Sequence, residues 1–194
     1  MPLHGAGSRE RIVVGAADLI RRRGLAGSTV RDLAAHSGAP LGSTYHFFPR
    51  GKQQLAAEAV RFAGELVSRL LGRELAAGPV AGLRAFLALC RQTVIDSDFK
   101  AGCPVLAVSV EEPPAEGDPE AIAAAAGVFT AWEELLAASL REHGAATEQA
   151  EQLATLIVAA VEGTVAMCRA KGDIQPLDDV AAQLEALVTT ATSG

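Results

Sequence analysis

Apolar residues recur along this chain at intervals of three and four, and period-two alternation is almost absent, so the pattern predicts helix from end to end. Ile12, Ala16, Leu19 and Ile20 mark one face of a first helix over 8–23. Ser8 can cap it, Gly24 ends it, and Arg21, Arg22 and Arg23 occupy its last turn, where the helix dipole favours cations. Thr29 and Asp32 are spaced for a capping box at the start of a short second helix, which turns Val30, Leu33 and Ala34 inward and stops at Gly38 and Pro40. A third short helix fits 41–47, with Leu41, Tyr45 and Phe48 spaced four and three, and Pro49-Arg50-Gly51 breaks the chain after it. A long helix over 52–76 carries Leu55, Ala59, Phe62, Leu66 and Leu70 along one side. Further helices fit 80–97, 120–142, 147–170 and 178–192, and 111–119 reads as the long loop. The apolar segment 103–110 could be a strand by composition, but nothing else in the chain would pair with it, so it is read as helix. The predicted fold class is all-α, a three-helix N-terminal part followed by a helical bundle.

Composition narrows the class. The chain has 194 residues, 49% apolar and 21% charged, which is enough for one or two domains with a real core and too few for a large multidomain enzyme. No uninterrupted apolar run approaches the roughly 20 residues that span a bilayer, and residues 1–11 lack the apolar core of a secretory signal. Three cysteines (Cys90, Cys103 and Cys168) have no metal-ligand spacing and read as reduced thiols of a cytoplasmic protein. The formal net charge of −6 argues against a nucleic-acid partner until it is divided. Residues 1–54 hold eight basic and three acidic side chains, a balance of +5, and the remaining residues hold nine and twenty, a balance of −11. A basic head on an acidic body suits a DNA-binding module joined to a domain that does not bind DNA.

The chemistry concentrates in residues 28–48. Two short helices joined by a tight glycine-containing turn, behind a longer first helix, form a helix-turn-helix pattern. Ser43, Thr44, Tyr45 and His46 bring hydrogen-bonding groups to the second of the two, and a B-DNA major groove about 12 Å wide accepts one helix. Thr-Val-Arg-Asp-Leu-Ala at 29–34, Gly38, Gly-Ser-Thr-Tyr-His-Phe-Phe-Pro at 42–49 and Lys-Gln-Gln-Leu at 52–55 together resemble the DNA-binding region of TetR-family transcriptional repressors, over residues 8–60. The lengthened Phe-Pro-Arg-Gly-Lys spacing and Gly102-Cys103-Pro104 resemble the LmrA/YxaF-like subgroup. The resemblance implies an all-α homodimer whose N-terminal domain, 1–54, binds a palindromic double-stranded DNA operator. Its C-terminal domain, 55–194, would dimerise and bind a small hydrophobic or aromatic inducer that releases the DNA. By the same resemblance Thr29 would meet a phosphate, Ser43, Thr44 and Tyr45 would enter or edge the major groove, His46 would touch the backbone and Lys52 would bind phosphate. Arg31, Pro40 and Leu41 are the further candidates for the groove.

Other residues invite weaker readings. Phe62, Leu66, Phe86, Cys90, Cys103, Phe129, Trp132, Leu136 and Met167 sit on apolar stripes, where core packing competes with lining a ligand cavity. Ile157, Ala160, Val161 and Gly163, with Ala159 and Ala166, offer a small-residue face for a dimer contact. The adjacent pairs Glu111-Glu112 and Glu133-Glu134 cannot share a helix face and read as solvated surface. His4, His36 and His143 read as solvated or hydrogen-bonded, His46 has no partner at a catalytic spacing, and no ligand cluster suggests a metal or another cofactor. The chain is therefore not read as an enzyme. The rival reading is a helical interaction module that docks another protein through its basic head.

Overall fold

The computed structural model describes residues 7–115 and 117–193, which leaves His4 outside the described residues. Among these the chain forms α1 (Ser8–Arg23), α2 (Val30–His36), α3 (Leu41–Phe47), α4 (Lys52–Glu74), α5 (Pro79–Asp96), α6 (Pro104–Ser109), α7 (Glu120–Glu142), α8 (Thr147–Lys171) and α9 (Gln175–Ala191). A 3₁₀ turn at Leu75–Ala77 follows α4, and there is no strand among the described residues. The ambiguous apolar segment is thus helical. Ser8 is the first helical residue rather than the cap, a position taken by Gly7.

The chain packs as two compact units, one formed by 1–64 with 104–128 and the other by 65–103 with 129–194. In the first, α1 packs against α2, α3 and α6. Its core gathers Ile12, Ala16 and Ile20 of α1, Leu33 of α2, Phe48, and Leu55, Ala59 and Val60 of α4, none more than 1% exposed. In the second, α5, α8 and α9 pack pairwise around Leu83, Phe86, Leu136, Ile157, Val161, Leu184 and Val188. Arg84 reaches Glu185 at 2.7 Å and Arg91 pairs with Asp178, so ion pairs flank the α5–α9 contact.

The stripe expected along α4 holds through Leu55 and Ala59 and then drifts. Phe62 is half-buried, Leu66 is 47% exposed, and Leu71 is the next fully enclosed apolar side chain. The helix changes packing unit between Gly64 and Glu65, so its two halves need not bury the same face. Helices α7 and α8 are each long and apolar enough to cross a membrane, with mean hydropathy 1.4 and 1.6 over their most apolar stretches. They reach that average without an uninterrupted apolar run, because much of it comes from alanine. Trp132, Leu136 and Leu140 of α7 are buried, as are Leu153, Ile157 and Val161 of α8.

Candidate nucleic-acid interface

The head is built on a close approach of α1 to α2. A Cβ at Gly15 would stand 2.5 Å from the Cβ and 2.7 Å from the Cα of Ser37, so only glycine lets the helices meet there. Helix α2 starts with the expected capping box. Thr29 Oγ1 accepts from the Asp32 amide at 3.1 Å, and Asp32 Oδ2 accepts from the Thr29 amide at 2.8 Å. Hydrogen bonds from the Thr29 hydroxyl and amide hold the Asp32 carboxyl below its usual range. Gly38 turns the chain toward α3 at φ +64, and Gly51 turns it into α4 at φ +73.

Helix α3 sorts its residues cleanly. Tyr45 is 52% exposed, His46 is exposed beside the Phe47 ring, and Ser43 is half-buried. Pro40, at the N-cap, is exposed, Leu41 is half-buried, and Thr29 and Arg31 are exposed at the start of α2. Thr44 faces the other way: it is fully buried, and its hydroxyl donates to the Pro40 carbonyl at 3.3 Å. Periodicity alone left this open, because Leu41–Thr44–Phe48 and Leu41–Tyr45–Phe48 both satisfy helical spacing. The small Thr44 goes inward and the phenol goes outward, which corrects the expected place of Thr44 on the groove side.

Lys52 also differs from expectation. Its ammonium points into the protein, donating to the Leu25 carbonyl at 2.9 Å and the Ser28 carbonyl at 3.0 Å. It ties the α1–α2 turn to the start of α4, and the lengthened Pro49–Gly51 turn precedes it. Two acidic side chains, one of them Glu111 of a pair expected on the solvated surface, hold the same frame. Glu111 accepts from the Leu25 and Ala26 amides at 2.7 and 2.9 Å, and Glu120 grips the Arg50 guanidinium through both oxygens at 2.8 and 3.0 Å. These partners lie 70 to 86 residues apart in sequence, beyond the reach of any local pattern. Burial alone would raise the Asp18 carboxyl, but hydrogen bonds from Arg22, His36 and Arg21 overcome it and bring it to about 2. Arg9 pairs with Glu58 at 2.5 Å. Six of the eight basic side chains in 1–54 are therefore engaged within the protein, Arg11 only through the Ser8 hydroxyl, and Arg23 at the end of α1 and Arg31 in α2 are exposed.

The residues expected around a ligand separate by burial. Phe86, Trp132 and Leu136 are enclosed, with the Phe86 and Trp132 rings edge-on at 5.6 Å and Phe129 and Trp132 edge-on at 5.8 Å. Phe129, Cys90 and Cys103 are half-buried, whereas Met167, like Leu66, lies on the surface at 48% exposure. Of the expected dimer face, Ile157 and Val161 are consumed by the chain's own core, Ala160 is half-buried and Gly163 is exposed. The exposed stripe of α8 runs through Leu156, Ala159, Gly163, Ala166 and Met167, keeping Ala159, Gly163 and Ala166 of the expected face while Leu156 and Met167 stand where Ile157 and Val161 were expected.

Comparison with known proteins agrees with this architecture. Residues 12–59 match the family described as bacterial regulatory proteins, tetR family, and residues 79–183 match the C-terminal domain of LmrA/YxaF-like transcriptional regulators. An uncharacterized HTH-type transcriptional regulator of Mycobacterium tuberculosis is 43% identical over 94% of both chains. YxaF of Bacillus subtilis, another uncharacterized HTH-type regulator, is 33% identical over 93% of this chain and 95% of its own. LmrA of the same organism is 31% identical over 88% and 90%. Among solved structures, a TetR transcriptional regulator from Legionella pneumophila superposes with a TM-score of 0.81 at 20% identity, covering 95% of this chain and 98% of its own. A regulatory protein TetR from Rhodobacter sphaeroides gives 0.81 at 21% identity over 93% and 98%, and these two likenesses speak to the fold. With a helix-turn-helix head that presents Tyr45 and His46 outward, and with relatives that are regulators rather than enzymes, the chain belongs to the TetR family of DNA-binding transcriptional regulators, in the branch with an LmrA/YxaF-like C-terminal domain.

Proposed function

We propose that this regulator is a cytoplasmic repressor that binds a palindromic operator as a homodimer and is released by a small, largely apolar or aromatic molecule. Residues 1–54 form the DNA-binding part and 55–194 the ligand and dimer part. The observation that carries the reading is the outward-facing edge of α3, where Tyr45, His46 and Ser43 project beside exposed Arg31 and Thr29. A palindrome requires two such edges about one DNA turn, roughly 34 Å, apart, and a two-fold axis supplies them. The exposed stripe of Leu156, Ala159, Gly163, Ala166 and Met167 on α8 gives the axis a small-residue surface, with Ala182, Ala186 and Leu187 exposed on α9. Release follows from a population shift: a ligand that binds better to a form with mis-spaced heads lowers operator affinity only by that difference. Helix α4, with Lys52 at one end and Phe62 and Leu66 in its body, is the lever.

Footprinting the purified protein on DNA flanking its own gene tests this reading. Two protected half-sites of opposite orientation, one turn apart, are expected, together with a dimer in sedimentation. Protection of a single asymmetric site by a monomer would overturn it.

A further inference from the structure

One polar group in the second packing unit is left incomplete. Glu162 of α8 is 4% exposed, and its Oε2 has no hydrogen-bond partner. The Cys103 thiol donates to the carboxylate. No ion pair among the described residues involves Glu162. Burial pushes the carboxyl up to about 7, with the thiol pulling weakly against it, so near neutrality the group is poised to ionise if a counter-charge arrives. A buried carboxylate oxygen without a partner costs free energy that an apolar residue of the same size would not.

The surroundings favour one kind of partner. Cys90 of α5 feels the Glu162 charge, and Phe86 stands one helical turn before Cys90 on the same face. The Phe86 ring in turn meets Trp132 at 5.6 Å, so the residue that feels the carboxyl shares its helix face with one ring of an aromatic pair. Aromatic faces attract cations, most strongly where water is excluded. This unit also holds fourteen acidic side chains against eight basic ones, a field that draws positive charge inward. A thiol sensor fits poorly, because burial and the same carboxylate push the Cys90 thiol well above its usual range, away from the reactive thiolate.

We propose that Glu162 is the polar anchor of the effector site, and that the effector it selects is a flat aromatic molecule carrying a protonated amine. The ammonium would occupy the open hydrogen-bonding position of Oε2, with the aromatic body toward Phe86 and Trp132. This rests on the reading that the C-terminal part binds a small molecule, and it names the molecule's chemical class.

Isothermal titration of the full-length protein near neutral pH tests it with three matched pairs: benzyl-, naphthylmethyl- and anthrylmethylammonium, each against the alcohol of the same skeleton. At least one ammonium binds about tenfold or more tightly than its alcohol. In Glu162→Gln that preference disappears while alcohol binding stays within about twofold, because the amide keeps the shape and loses the charge. Glu162→Met, which carries no polar atom of that kind, gives the same reading should the glutamine variant fail to fold. No ammonium preferred over its alcohol in the wild type, or a preference that survives both variants, overturns the proposal. Fluorescence anisotropy on the footprinted operator separates the two readings. Glu162-dependent ammonium binding that leaves operator affinity unchanged supports the anchor and sinks induced release. Release by a neutral molecule without ammonium preference does the reverse.

Discussion

Tyr45 exposes 52% of its surface from a helix whose adjacent residue, Thr44, is completely enclosed. Removing the ring therefore costs little folding energy, and Tyr45→Ala is expected to weaken operator binding by about 1–3 kcal/mol with an unchanged melting temperature. Anisotropy and thermal melts on the same preparation check both halves. Lys52 predicts the opposite balance. Lys52→Met keeps the aliphatic stem but strips the Leu25 and Ser28 carbonyls of a charged donor, so stability falls by about 1–3 kcal/mol, read by urea unfolding. Full stability with weakened operator binding would return Lys52 to the DNA surface. Glu162 makes a pH-dependent contribution, with Cys90 and Cys103 as the titratable neighbours. Its carboxyl is raised from 4.5 to about 7 in the fold, so between those values the native state holds a proton that the unfolded chain has released, and stability falls as pH rises through that window. Glu162→Gln removes this loss. Its stability advantage over wild type grows from pH 5 to 8 toward roughly 3 kcal/mol, and a pH-independent difference in urea midpoints would refute the shift.

The elements of the head are held by close backbone contact and by carboxylates from outside it. Gly15→Ala pushes a methyl group against the Ser37 backbone, where no rotamer can relieve the clash, and should cost about 1–3 kcal/mol with a parallel loss of operator affinity. Normal stability in that variant would mean that α1 and α2 can slide apart freely. The α1–α2 turn is a shared node: Lys52 binds its carbonyls, and Glu111 binds its amides at Leu25 and Ala26. Four polar backbone groups of one short turn are thereby satisfied by two side chains of opposite charge. That arrangement fixes where α2 begins and hence where α3 projects.

At the scale of the molecule, formal charge overstates the bare positive surface of the head. The balance of +5 in 1–54 includes Arg9, Arg21, Arg22 and Arg50 in ion pairs and Lys52 on carbonyls. Operator binding should thus depend on few phosphate contacts, and each should be visible in the salt slope. If exposed Arg31 neutralises one phosphate in each of two protomers, Arg31→Ala reduces that slope by about 1.8, at about 0.9 per contact. A reduction near 0.9 would indicate one head on DNA, and no reduction would remove Arg31 from the interface.

Local order was legible without coordinates: the nine helices among the described residues, the capping box at Thr29 and Asp32, and the helix ends at Gly24 and Gly38 follow from contacts within a few residues, which sequence spacing encodes. The helix-turn-helix motif was legible for the same reason. Choices between equivalent faces were not. Thr44 or Tyr45 inward, and Ile157 or Leu156 on the surface, satisfy the same period, and only packing against a neighbouring helix breaks the tie. Partners distant in sequence were equally silent: Glu111 reads as a solvated acid, and Glu120 carries no signal of its own, until folding brings Leu25, Ala26 and Arg50 to them. No spacing signal in the sequence marks Glu162, and its enclosure without a full set of partners is a property that tertiary packing alone creates.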